Sequence, residues 1–272
     1  QVVLSGNTVF MNNVIAVTHF FYLIILPFSF TQNNAMITDT NYVRVSQQLL
    51  YAVRTKDNSD AFIKILEGAD EKILKEALLT DAKKKAFWLN VYNAFVQKLL
   101  TENPGKYKNR NSFFSLKQIV IAGKQLSLND IEHGILRRSK IKWSLGYFNK
   151  FFPPDFEKKF RVAKLDNRIH FALNCGAKSC PPIAYYDPEK IDMQLELAAT
   201  NYLKNETVYD KTSGSVCLPK IMSWFKADFG GEKGISQLLK KYKIIDSDKD
   251  VKITFKEYDW TLFLNNYKQE TE

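Results

Sequence analysis

The sequence predicts an α+β fold in a single domain, with a helical N-terminal part and a mainly antiparallel sheet in the remainder. Three observations carry that expectation. Apolar residues recur every three or four positions from Tyr42 to Leu79, the period of helices packed on one face. The stretch from Thr80 to Gly105 reads as one long buried helix. Short strand-like runs follow, with no internal repeat and no low-complexity linker, which argues for one domain rather than an array.

The 272 residues are 45% hydrophobic, enough apolar material for one sizeable core. No lysine or arginine occurs before Arg44, and "VIAVTHFFYLIILPFSF", residues 14–30, carries His19 as its single potentially charged residue near neutral pH. The run is short for a membrane helix, is interrupted by Pro27 and is followed by polar "TQNN". It therefore reads as the apolar part of a secretory signal, with a membrane anchor as the alternative. No basic residue precedes it, no small-x-small cleavage pattern stands out, and Met11 marks the expected translation start. Residues 1–32 are thus assigned to upstream sequence plus a signal peptide or anchor. Residues 33–272 are expected to be a globular domain, exported to the periplasm or cell envelope.

Residues 1–32 contain no Asp, Glu, Lys or Arg, so the net charge of +10 belongs to the rest of the chain. Its lysines are scattered, as in "DAKKKAF" and "LLKKYK", with acids close by. That pattern is a solvated basic surface, and no nucleic-acid partner is expected.

Thr80 or Asp81 caps the long helix, and Pro104 and Gly105 stop it. At 100° per residue, Phe87, Trp88, Leu89, Val91, Tyr92, Phe95, Val96, Leu99 and Leu100 surround most of its circumference. A narrow stripe of Asn90, Asn93 and Gln97 remains. Buried amides need partners, so this stripe either ties down a neighbouring loop or lines a polar cleft. "SFFSLKQIVIAGKQLSLNDIEHGILRRSK" reads as an extended segment with a glycine turn, then a helix capped by Ser127 or Asn129, with Asp130 and Glu132 in its first turn. A strand is expected where Ile169, Phe171 and Leu173 alternate with His170, Ala172 and Asn174, which would turn His170 away from the most apolar face. Another amphipathic helix follows the cysteine loop, and a small one is expected around Ile235 to Tyr242.

"HFALNCGAKSCPPIAYY", residues 170–186, holds two of the three cysteines and one of the three histidines. Beyond residue 32 the histidines are His133 and His170, both within about 45 residues of Cys175 and Cys180. A thiol nucleophile needs an imidazole to take its proton and a third group to orient that imidazole. Cys175 is the preferred nucleophile, because Gly176 permits an unusual turn and the loop amides could polarise a carbonyl oxygen over the sulfur. Pro181 and Pro182 follow Cys180 without an N–H to offer. Either histidine could be the base. Two alternatives stay open: a Cys175–Cys180 bridge that staples the loop and leaves Cys217 unpaired, and a zinc site of His133, His170, Cys175 and Cys180, for which C-x4-C is marginal spacing.

"DSDKDVKITFKE", Asp246 to Glu257, imitates a calcium loop but has Val251 where the turn needs glycine, so a polar hairpin is expected there. The chain has no Walker loop, dinucleotide fingerprint or G-x-S-x-G motif, so no cofactor and no metal is assigned.

The blocks "AFWLNVYNAFV", "LSLNDIEHGILR", "DNRIHFALNCGAKSCPPI", "CLPKIMSWFKADFG" and "YDWTLFLN" resemble, in this order, the family known as domain of unknown function 547, over roughly residues 75–265. The resemblance implies a single α+β domain, frequent export of bacterial members, and a distant likeness to papain-like thiol hydrolases with permuted motif order. The matching polar positions are Asn90 and Asn93; Asp130, Glu132 and His133; and Arg168, His170, Asn174, Cys175 and Cys180. Asp166-Asn167 stands where the family motif usually reads Asp-Pro, which leaves the reactive groups untouched.

The function expected is that of an exported cysteine-dependent hydrolase or acyltransferase acting on a small peptide-like or amide substrate. Cys175 is its nucleophile, His133 or His170 its base, and Glu132 or Asn90 its orienter. Asn90, Asn93, Asp130, Arg168, Asn174 and Cys180 are its candidate binding residues. The alternative is a non-catalytic envelope binding domain with a Cys175–Cys180 disulfide, whose motif residues form a polar core network.

Overall fold

The computed structural model describes residues 41–246 and 251–268. The expected signal or anchor segment and Met11 lie outside them. The described residues belong to one compact unit.

Helices come first, as the periodicity predicts: α1 Tyr42–Thr55, α2 Asp60–Glu67, α3 Glu71–Ala77 and α4 Asp81–Glu102. Side chains before three of them satisfy otherwise unpaired N–H groups. Asn41 accepts from Arg44, Asp70 from Lys72 and Ile73, and Thr80 from Lys83. Helix α4 is the centre of the core, buried without a break from Ala86 to Gln97. Helix α1 packs along it, and Trp88 meets Phe87, Phe156 and Phe160 edge to face. Each large apolar side chain fully buried there contributes about 1.5–3 kcal/mol, so α4 is held by tertiary packing rather than by helix propensity.

After α5 (Arg110–Ser115), strands β1 (Ile119–Ile121) and β2 (Lys124–Leu126) form an antiparallel hairpin. Its turn residues Ala122 and Gly123 have φ of 49° and 69°, the left-handed pair that matches strand twist. Asp130–Leu136 is a π-helix. Helices α6 (Asp155–Phe160) and α7 (Ile191–Glu206) lead to β3 (Val208–Asp210), β4 (Ser215–Leu218), α8 (Ile221–Trp224), α9 (Gly231–Lys241) and β5 (Lys252–Phe255). The second sheet has the order β3-β4-β5, antiparallel between β3 and β4 and parallel between β4 and β5.

Two local expectations are corrected. Within the polar hairpin expected at Asp246–Glu257, Lys252–Phe255 is instead a strand running parallel to β4, because α8 and α9 cross over between β4 and β5. The strand expected around His170 is a 3-10 turn, Asn167–Phe171, started by the Asp166 carboxylate accepting from the Arg168 N–H. Ile169, His170 and Phe171 are all buried there, so the alternation of residue types has no exposed face behind it. The core has two apolar clusters, one around α1 and α4 and one around α7, β4 and α9, and Tyr258 packs against both.

Candidate active site

The cysteine loop is built by the amide stripe of α4. Asn93 accepts from the Asn174 N–H at 2.9 Å and donates to the Ala172 carbonyl at 3.0 Å. Asn90 grips Tyr186 in the same two-handed way, with 2.9 Å to both its N–H and its carbonyl. Gln97 donates to Asn174 and accepts from the Asn265 N–H. Asn174 in turn accepts from the Gly176 N–H and donates to the Pro181 carbonyl. Of the two roles open to the stripe, these bonds are loop tethering. Gly176 sits at φ 82° against Leu100, where a side chain would be both strained and crowded.

Residues beyond β5 close the loop from its other side. Lys178 N–H donates to the Thr261 carbonyl, Ser179 N–H to that of Asp259, and Phe263 N–H to that of Gly176. The amides of Gly176, Lys178 and Ser179 are therefore spent, as are those of the cysteines: Cys175 N–H points to the Cys180 sulfur at 2.9 Å, and Cys180 N–H bonds the Ala177 carbonyl. This corrects the expectation that loop amides of Cys175, Gly176 and their neighbours would polarise a bound carbonyl. Cys175 and Cys180 are joined as a disulfide with their Cα atoms 6.1 Å apart, and Cys217 is free. The Tyr258 hydroxyl lies 3.2 Å from one sulfur and 3.1 Å from the other.

Beside this bridge opens a cavity of about 590 Å³, the size of a small-molecule site. Glu132, His133, His170, Cys175 and Cys180 all line it, among Trp143, Trp224, Phe225, Tyr258 and Trp260. Residues far apart in the chain thus share one apolar-walled space. The π-helix delivers Glu132 and His133, its wider turn being visible as bonds from Arg137 N–H to the Glu132 carbonyl and from Ser139 N–H to that of Gly134. Ser127 and Asp130 cap it reciprocally, each side chain accepting the other's N–H.

The two histidines are distinguished by their partners. Arg137 donates to His133 Nδ1 at 2.9 Å and to Asp228 Oδ2 at 2.6 Å. A guanidinium has no acceptor, so the neutral His133 ring carries its proton on Nε2. His170 donates from Nε2 to the same Asp228 oxygen at 2.9 Å, leaving Nδ1 as its lone-pair nitrogen. Its ring stacks on Phe225 at 4.0 Å. Burial, reinforced by Arg137, holds His133 well below the ordinary imidazole range. Burial also lowers His170, against the opposing pull of Asp228. Glu132 is pushed up by burial while accepting from the Tyr92 hydroxyl, and its other oxygen lies 3.7 Å from His133 Nδ1. Asp228 is held below its usual range despite its burial, by His170 and Arg137.

The remaining candidates stand elsewhere. Asn90, Asn93 and Asn174 are loop tethers, Asp130 is a helix cap, and Arg168 anchors a cluster with Asp166, Asp192 and Glu196. Among the described residues no group of three or more His, Cys, Asp or Glu side chains is placed to hold a metal ion.

A model of the family described as "Protein of unknown function, DUF547" matches residues 77–203. Over those residues the chain belongs to this family. No curated protein and no solved structure matches the chain. The DUF547 match covers α4, the π-helix, the His170 turn and the cysteine loop. The groups that complete the site lie partly beyond it: Asp228, Trp224, Phe225, Tyr258 and Trp260 follow residue 203, while Arg137 and Tyr92 fall within it. Sequence reasoning missed all of these as partners of the cavity. The blocks "CLPKIMSWFKADFG" and "YDWTLFLN" contain the first five, and their density of Trp, Tyr and Asp was the available signal.

Proposed function

We propose that this cavity is the active site of a cysteine-dependent hydrolase or acyltransferase for small amide or peptide-like substrates, and that the dithiol is its working form. One observation carries the reading: Cys175, His170 with its Asp228 partner, His133 and Glu132 all face one apolar-walled cavity. An imidazole held by a buried carboxylate is the device that keeps the correct tautomer and stabilises the imidazolium once a proton arrives. That favours His170 over His133 as the base, and Asp228 rather than Glu132 or Asn90 as the orienter.

In this mechanism a dithiol reductant first supplies two electrons and two protons to open the bridge. The Cys175 thiol then gives its proton to His170 Nδ1 as the sulfur attacks the substrate carbonyl. His133 Nε2–H donates to the developing oxyanion, the role that the spent loop amides cannot fill. The C–N bond breaks with the proton from His170 going to the leaving amine, and water or an acceptor amine releases the acyl group from sulfur.

The test is iodoacetamide labelling of the full chain before and after reduction, at pH 6 and pH 8, with each cysteine mapped by mass spectrometry. Rapid labelling of Cys175 at pH 6 after reduction is expected, and Cys175→Ala should abolish turnover of an amide ester library while leaving the fold intact. Labelling that grows only as pH approaches the ordinary thiol range overturns the proposal. The bridge itself favours a second reading, an aromatic-walled binding pocket stapled by Cys175–Cys180. That reading gains if ligand binding is indifferent to reduction.

A further inference from the structure

Between Ser139 and Pro154 the chain makes a loop whose backbone is fixed but whose largest side chains face solvent. Ile141 N–H bonds the Phe148 carbonyl at 3.0 Å, Lys150 N–H the Ser139 carbonyl at 2.8 Å, and the Ser144 hydroxyl the Ile141 carbonyl at 2.8 Å. Leu145 sits at φ 52° and Gly146 at φ 93° against Asp228. A bond from Ala227 N–H to the Leu145 carbonyl at 3.0 Å fastens the loop to the body of the protein. Non-glycine backbone in the left-handed region costs about 1–3 kcal/mol and persists only where its surroundings enforce it.

What this loop presents is apolar. Trp143 is 76% exposed, Phe151 90% and Phe152 95%, and Leu145, Tyr147 and Phe148 are exposed beside them. Single exposed apolar residues are ordinary, but six exposed between Trp143 and Phe152 on one loop mark a docking surface. The charges give the partner's sign. Arg138, Lys140, Lys142 and Lys150 are interleaved with the rings, and no acid occurs from Arg138 to Pro154. Lys150 pairs with Glu157, whereas Arg138, Lys140 and Lys142 have no ion pair among the described residues. Trp, Tyr and Phe flanked by cations are the composition that settles at the boundary of headgroups and acyl chains.

We infer that this loop docks the protein on a bilayer bearing anionic lipid headgroups, with its rings at the acyl boundary and its cations among the headgroups. Lys142, Trp143 and Leu145 also line the cavity, so docking brings the cavity to the lipid surface. The inference does not depend on the chemistry proposed for the cysteines.

The experiment is co-flotation of the full chain with vesicles of phosphatidylcholine, with and without phosphatidylglycerol. Parent protein is compared with Phe151→Ser/Phe152→Ser and with Arg138→Gln/Lys140→Gln. All three share residues 14–30, and partition coefficients are compared at lipid concentrations where the parent is only partly bound, so the contribution of that apolar run is common to all. Binding of the parent should rise with phosphatidylglycerol. The double serine variant should lose about tenfold or more in partitioning, and the double glutamine variant about fivefold per charge on anionic vesicles alone. Unchanged thermal midpoints are expected for the serine variant, because both rings are solvent-exposed. Brominated lipid should quench the parent's tryptophan fluorescence and quench a Trp143→Tyr variant markedly less. Equal binding of parent and variants overturns the inference. So does self-association without vesicle binding that disappears in the serine variant, which assigns the loop to a second copy of the chain.

Discussion

Asn93 spends its side-chain donor and acceptor on two backbone groups of the cysteine loop, in a setting with no exposure to water. Asn93→Ala therefore strands an N–H and a carbonyl in the core and should cost about 1–3 kcal/mol in urea unfolding. Asn129→Ala, which removes one bond to the exposed Ser115 hydroxyl from a half-buried position, serves as the comparison and should cost less. His133 and His170 make a second prediction. Both are held neutral by burial, so below about pH 6.5 the unfolded chain binds protons that the folded chain refuses. Their contribution is complete above that pH and is lost as pH falls, by up to about 1.4 kcal/mol per pH unit for each ring. Glu132 acts in the opposite sense, since its raised carboxyl makes the folded chain retain a proton as pH rises past about 4.3. Urea midpoints measured from about pH 5 to 8 should rise with pH, and His133→Gln should flatten the rise; an unchanged slope would remove His133 from the account.

At the scale of elements, the cysteine loop is a short span fixed at both ends and in its middle. Reducing the Cys175–Cys180 bridge releases a small closed loop, worth about 2 kcal/mol by chain entropy, while the tethers from α4 and from residues beyond β5 remain. The reduced protein should thus keep its fold, with a lower melting temperature in calorimetry and intact far-ultraviolet dichroism. Gly176→Ala should be the harsher change, since φ 82° and the Leu100 contact both oppose a side chain. The helices were legible because their signals are local: periodicity along 42–79, and Thr80 with Pro104 bracketing α4. The His170 turn was not, because a 3-10 turn buried on both sides leaves the same apolar and polar alternation as a half-buried strand. Nor was the π-helix, whose extra residue per turn sets Glu132 near the His133 ring although neighbours on an ordinary helix diverge.

For the whole molecule, the sequence reading named Cys175, His133, Glu132 and His170, and one cavity takes in all four together with Cys180. What it could not supply was any pairing over long separations. Asp228 meets Arg137 and His170 from 91 and 58 residues away, and no spacing rule connects them. The parallel β4–β5 pair is likewise set by a crossover rather than by the residues of β5. The last described segment, residues 258–268, is bonded to the cysteine loop, to Gln97 and to Ile183. Truncation after Glu257 should expose the apolar wall around Cys180 and Ile183, read as increased binding of a hydrophobic dye and faster hydrogen exchange in the loop amides. Exchange unchanged in those amides would mean that α4 alone holds the loop.

That same segment sets an order of events during synthesis. The loop that carries both cysteines leaves the ribosome well before residues 258–268, so for the time needed to add some eighty residues, several seconds at about 5–20 residues per second, its outer side lacks the segment that closes it. Whatever pairs, modifies or chaperones these two sulfurs has its freest access to them in that interval, before the finished chain shuts over them.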